Sequence, residues 1–277
     1  MSEMWDALQF EFMRNALLAG ILVSISCGII GTLIVVNRIV FISGGIAHSA
    51  YGGIGLAFYT GMSPTLGAGL FSVVVAIIMG AISLENKHRA DTLIGVLWAV
   101  GMGIGIILID LTPGYNVDLM SYLFGSILSV PRADIWFMIP LDIVILLTVL
   151  VLYKEFIALS YDEEFAFVVG IPVKTLYLVL LCMTALSIVM IIRVVGLILV
   201  IALLSIPPYI AEKYTSSLGK MMVLSSLLGI LFTLSGLWLS YKYDLTSGAT
   251  IIMVAGVSFF ISQAIDLLKG RRHSASV

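Results

Sequence analysis

Apolar stretches long enough to cross a bilayer follow one another along this chain, with short polar breaks between them. The pattern predicts nine helices, at about 15–36, 45–60, 64–83, 92–110, 134–153, 175–192, 195–211, 220–240 and 248–268. The second is short and glycine-rich. The sixth and seventh run almost together around Arg193, which leaves eight helices as the alternative count. Between the fourth and fifth, Leu119–Val130 (LMSYLFGSILSV) is apolar but too short to span. It reads as a re-entrant or interfacial segment, which must be covered by protein wherever it dips into the bilayer.

Composition agrees with an all-α polytopic membrane protein. Of 277 residues, 61% are hydrophobic and 11% charged, whereas an ordinary soluble domain carries about 25% charged residues. One transmembrane domain is expected over residues 1–277, with no room in the loops for a soluble catalytic domain. Glu3, Asp6 and Glu11 stand where a cleavable signal peptide would be basic. Cys27 and Cys182 both lie in apolar runs and read as packing residues. The net charge of −2 says nothing about partners, and no feature points to nucleic acid.

The distribution of charge says more. The loops 37–44, 84–91, 154–174 and 212–220 and the C-terminal tail hold ten of the fourteen Lys and Arg residues. The opposite side holds three: Arg14, Arg132 and Lys242. The positive-inside rule makes the first side cytoplasmic, with the N-terminus outside and the C-terminus inside.

Within the membrane, His48 sits in Ser43-Gly44-Gly45-Ile46-Ala47-His48-Ser49-Ala50-Tyr51-Gly52-Gly53-Ile54-Gly55. On a helix, Gly44, Gly45, Gly52 and Gly55 share its face. An imidazole is a common transition-metal ligand, and small neighbours leave space beside it, so the face is a candidate pathway lining. Small faces also let helices pack closely, and the two readings are compatible. Asp142, inside the fifth run, is a second pathway candidate, because an intramembrane carboxylate faces protein or water rather than lipid. His88 reads as a solvated loop residue, Asp118 as a loop charge, and the thirteen methionines form no Met-x-x-Met cluster pointing to copper.

The longest polar interruption, 154–174, reads as a short surface helix. Ser160 or Asp162 would cap it, Glu163 and Glu164 suit its first turn, and Gly170 and Pro172 end it. Phe165, Phe167, Val168 and Val169 make it adhesive, either to a cytoplasmic partner or to lipid headgroups.

This loop resembles the coupling helix of ABC-transporter permeases, in which an acidic-Ala-x-x-x-Gly-Ile-Pro stretch contacts the ATPase. Asp162, Glu163, Glu164, Ala166, Gly170, Ile171 and Pro172 occupy that stretch at about 160–173. The segment from Arg193 to Pro208 (RVVGLILVIALLSIPP) and the segment from Leu239 to Thr250 (LSYKYDLTSGAT) resemble two further stretches of permeases of metal-ion ABC importers of the zinc, manganese and iron type. In the second of these, Thr246 stands where proline is usual. The Gly-x-x-x-His run around His48 resembles their second-helix motif. Many members carry an aspartate four residues before that histidine, and here the position is Gly44.

The resemblance implies a homodimeric permease in a prokaryotic inner or plasma membrane. Its partners would be two cytoplasmic ATPase subunits and an extracytoplasmic metal-binding protein, and its cargo a divalent metal. No permanently bound cofactor is expected, and ATP would bind in the partner subunit. The chain carries no Gly-x-x-x-x-Gly-Lys-Ser/Thr loop, so no ATPase activity is expected of it. An imidazole without a carboxylate leans toward zinc, with manganese or iron as alternatives. An ion-coupled secondary transporter is the rival, but no internal repeat is visible. An intramembrane enzyme is disfavoured by the lack of a His-x-x-x-His pair.

Overall fold

The computed structural model describes residues 9–85, 89–113 and 125–274. His88, Asp118 and residues 119–124 lie outside the described residues, as does the side chain of Arg193. The elements are α1 (Glu11–Val36), α2 (Val40–Thr60), α3 (Pro64–Glu85), α4 (Ala90–Asp110), a 3-10 turn (Ile127–Ser129), α5 (Arg132–Val151), α6 (Tyr153–Tyr161), α7 (Glu163–Val168), α8 (Val173–Glu212), α9 (Leu218–Tyr243) and α10 (Ser247–Ser274). Among the described residues there is no strand, and nine stretches are long and apolar enough to cross a membrane.

The ninth span is hidden in α8. Its 40 residues form one helical run, which would be about 60 Å long if straight, twice the hydrocarbon thickness. Gly196 interrupts it at φ 76°, ψ 170°, a conformation open only to glycine. Contacts show that the run doubles back there. One end of the bundle holds the start of α1 and the start of α5, joined by an Arg132–Glu11 ion pair of 2.8 Å. At the same end Asn15 donates to the Val130 carbonyl. Gly125, in the loop leading to Val130, presses its backbone against Gly196. The opposite end holds both termini of α8. There Tyr177 meets Ser83 of α3, and Lys213, just past α8, pairs with Asp266 of α10 at 2.6 Å. The spans are therefore Val173–Ile192 and Val194–Glu212, and the expected nine holds over the alternative of eight among the described residues.

The described part of the segment between α4 and α5 is covered as its apolar character requires. Ile127 and Val130 are buried, and Ile127 lies against Gly20 of α1. Buried hydroxyls are satisfied largely within their own helices. Ser24, Thr32, Thr184 and Ser187 each donate to the carbonyl four residues back, which satisfies these hydroxyls without a partner helix.

Helix α2 begins five residues earlier than expected. Residues 40–44 are its first turn rather than loop, because a tight C-cap on α1 replaces a longer connection. The Arg38 amide donates to the Val35 carbonyl and the Ile39 amide to the Ile34 carbonyl, the paired bonds of a Schellman cap. Arg38 takes the left-handed position at φ 57°, where glycine is usual.

Helix α2 is the most enclosed of the spans. It is in backbone contact with two neighbours. A Cβ on Gly53 would strike the Gly67 carbonyl of α3, and one on Gly67 would strike the Gly53 carbonyl in return. A Cβ on Gly55 would strike the Gly105 backbone of α4, and one on Gly105 would strike the Tyr51 carbonyl. Gly105→Ala is therefore expected to lower stability by about 1–3 kcal/mol. Gly69→Ala, on α3 with nothing within 4 Å of its added carbon, should be neutral. Thermal denaturation of the two variants in detergent checks the contrast.

Candidate metal pathway and coupling segment

His48 lies midway along α2, half-buried, with its ring stacked on the indole of Trp98 of α4. The centroids are 4.1 Å apart and the planes 20° from parallel. Its Nδ1 is sealed from solvent and has no hydrogen-bond partner. Phe41, two turns earlier on the same face, lies at 6.1 Å from the same indole.

The four glycines on this face do not have equal surroundings. A Cβ at Gly45 would meet Ile94 at 2.7 Å, one at Gly52 would meet Phe71 at 2.7 Å, and one at Gly55 is blocked by Gly105. These three are occupied by helix packing within one copy of the chain. At Gly44 the nearest atom is Ile201 Cδ1 at 3.6 Å, an ordinary contact. Gly44 is buried, but alone of the four it could take an added carbon without displacing a neighbour; it lies one turn from His48, where the family resemblance would put a carboxylate.

Asp142 faces α1, away from α2. Ser26 Oγ donates to its Oδ1, and Oδ2 is buried without a partner. The carboxylate is 8% exposed, and it is not brought to His48. Among the described residues no group of three or more His, Cys, Asp or Glu side chains could hold a metal ion.

The 154–174 stretch, expected to hold a single surface helix, holds two short ones, α6 and α7. Asp162 separates α6 from α7 and caps the latter, its Oδ1 accepting from the Phe165 amide at 2.8 Å. Glu163 and Glu164 fill the first turn, where the helix dipole favours them. Ser160, the other expected cap, instead pairs with Asn37 Nδ2 at 3.0 Å. Each residue of the acidic-Ala-x-x-x-Gly-Ile-Pro stretch has a physical task. Ala166 is fully buried under α7. Gly170 takes φ 90° to end that helix, with its amide on the Phe167 carbonyl and the Ile171 amide on the Ala166 carbonyl. Ile171 packs on the core, and Pro172 precedes α8. The rest of α7 is apolar and uncovered, with Phe167 at 74% and Val168 at 81% exposure.

Asn37 joins this segment to the α1–α2 turn. It is the C-cap of α1, three residues before the start of α2, and it donates to both the Leu33 carbonyl and Ser160. Beside it lies a cavity of about 300 Å³ lined by Arg38, Ser83, Asp91, Leu159, Glu163 and Tyr177. Sequence reasoning missed Asn37, Ser26 and Trp98. Asn37 is a boundary polar residue, Ser26 one of many membrane serines, and Trp98 one apolar residue in an apolar run.

Residues 9–266 match the ABC 3 transport family. The chain belongs to it. This permease is 54% identical over 261 residues to an uncharacterized membrane protein of Synechocystis sp., covering 94% of this chain and 93% of that one. It is 32% identical over 255 residues to the manganese transport system membrane protein MntC of Halalkalibacterium halodurans, covering 92% and 87%. Its structure matches a chain of PsaBC from Streptococcus pneumoniae, solved in complex with a Fab, at a TM-score of 0.85. That match has 32% identity and covers 94% of each chain. The ABC 3 member described here is a multi-pass metal-transporter permease and not an enzyme, since ATP hydrolysis in ABC importers belongs to a separate subunit.

Asp162→Ala removes the only side-chain cap on α7 that the geometry provides, at a cost of about 1 kcal/mol. Amide hydrogen exchange across 163–168 should rise about fivefold while the spans stay protected. Unchanged exchange would show that neighbouring packing, not the cap, holds α7.

Proposed function

We propose that this chain is the membrane path for manganese entering the cell. It works as two copies with two cytoplasmic ATPase subunits and an extracytoplasmic binding protein that delivers the ion. The observation that carries the metal assignment is the near full-length similarity to relatives named as manganese transport proteins. They favour manganese over the zinc expected from an isolated imidazole. The surroundings of His48 are compatible with that choice. Gly44 puts no side chain beside the imidazole, so the ion can keep part of its own water there, and oxygen ligands suit manganese.

His48 is the group of this chain that meets the ion, and Gly44 provides its room. Gly45, Gly52 and Gly55 act on the pathway indirectly, by holding α2 against α3 and α4. Asp142 ties α5 to α1 through Ser26. The contact with the ion is transient, because a tight site would slow release.

The end of the bundle holding Arg38, Arg89, Lys154, Lys174, Lys213 and Lys220 faces the cytoplasm. The N-terminus is then outside and the C-terminus inside. The exposed apolar side of α7, with Asp162, Glu163 and Glu164 at its start, meets the ATPase. Movement there reaches α2 through Ser160 and Asn37.

Uptake of manganese, zinc and iron by the reconstituted complex tests the reading. Manganese should be carried best and only with ATP, and His48→Ala should reduce its uptake by about tenfold or more. Uptake without ATP would sink the reading, preferred zinc uptake would restore the zinc assignment, and an unaffected His48→Ala would remove the histidine from the path.

A further inference from the structure

We propose that Trp98 is the positioning residue for His48, setting the imidazole plane so that the ring meets the passing ion edge-on. The inference rests on His48 being a pathway group and names what orients it. A metal-binding imidazole is ordinarily fixed by a hydrogen bond from its second nitrogen to a carboxylate or carbonyl. His48 has no such bond, since Nδ1 is buried and unpartnered. What it has is an aromatic face. The 4.1 Å separation and 20° angle are those of a stacked pair, and turning the imidazole about its Cβ–Cγ bond would break the stack.

The stack is built into the register of α2 and α4. Ser49, next to His48, donates to the Leu97 carbonyl, next to Trp98, at 3.3 Å. Gly101, one turn after Trp98, leaves room for Ser49, whose Cβ would lie 2.9 Å from an added carbon. Gly105, one turn further, receives the Tyr51 carbonyl. These anchors put residue 98 opposite residue 48 at a helix separation that only glycine permits. Phe41 lies against the indole as well, so Trp98 is itself held. An ion contacting His48 thus meets a ring whose orientation is set before it arrives.

The test compares Trp98→Phe with Trp98→Leu in the reconstituted complex. Both fill space, but only phenylalanine offers a stacking face. Trp98→Phe should keep uptake within about twofold of wild type, whereas Trp98→Leu should raise the metal concentration for half-maximal uptake by about three- to tenfold with little change in maximal rate. In a His48→Ala background Trp98→Leu should add nothing, because its effect passes through the imidazole. Equal behaviour of Phe and Leu, or a Leu effect that multiplies with His48→Ala, overturns the positioning role and makes Trp98 a packing residue. If His48→Ala alone leaves uptake unchanged, the underlying pathway reading fails instead, so the two failures are told apart. Basal ATPase activity of each complex confirms assembly.

Discussion

The arrangement depends on backbone meeting backbone along α2. A membrane offers no hydrophobic drive between helices, so association comes from dispersion contacts and close fit. Here α2 supplies glycines to both neighbours, and α3 and α4 answer with glycines of their own: Gly53 against Gly67, Gly55 against Gly105. A side chain at any of these positions would push a helix outward. The stack of His48 on Trp98 would open with it, because the pair has no other bond to draw it together.

The same economy appears at the charged end. The Asn37–Arg38–Ile39 turn joins α1 to α2 with no slack, and it holds Arg38 in a left-handed conformation that costs about 1–2 kcal/mol for a non-glycine residue. A strained residue persists only where its surroundings over-determine it. Here two Schellman hydrogen bonds and the buried Ile34 and Ile39 on either side offset the strain. A tight joint transmits displacement where a loose loop would absorb it. Asn37 sits in that joint with one hydrogen bond inside α1 and one to Ser160, which immediately precedes the last residue of α6.

Much of this was legible from residue order alone. Nine spans followed from apolar length, and the acidic start, Gly170 and Pro172 marked where α7 begins and ends. What was not legible depends on neighbours distant in sequence. Whether the run through Arg193 doubles back is decided by Gly196 and by Gly125 pressing on it. Ser160 and Asp162 are equal as caps on paper, and Asn37 separates them by engaging Ser160. Gly44, Gly45, Gly52 and Gly55 share a face by periodicity, yet Ile94, Phe71 and Gly105 crowd three of them, while the fourth meets only an ordinary contact from Ile201. Asp142 was identifiable as a carboxylate in a span, but its direction is set by Ser26 on a helix more than a hundred residues away in sequence.

The lack of a side chain at Gly44 bears on how the proposed path would pass an ion. A carboxylate there would add attraction but also a well from which a divalent cation must climb. Removing it lowers the well, and the imidazole that remains must then be in place without help from a charged neighbour. Stacking supplies that order without adding charge. In the proposed path, helix packing fixes the ring, and the ring offers one nitrogen donor to an ion that keeps part of its own water. The division leaves binding weak and geometry firm, the combination that lets an ion enter a narrow path and leave it again.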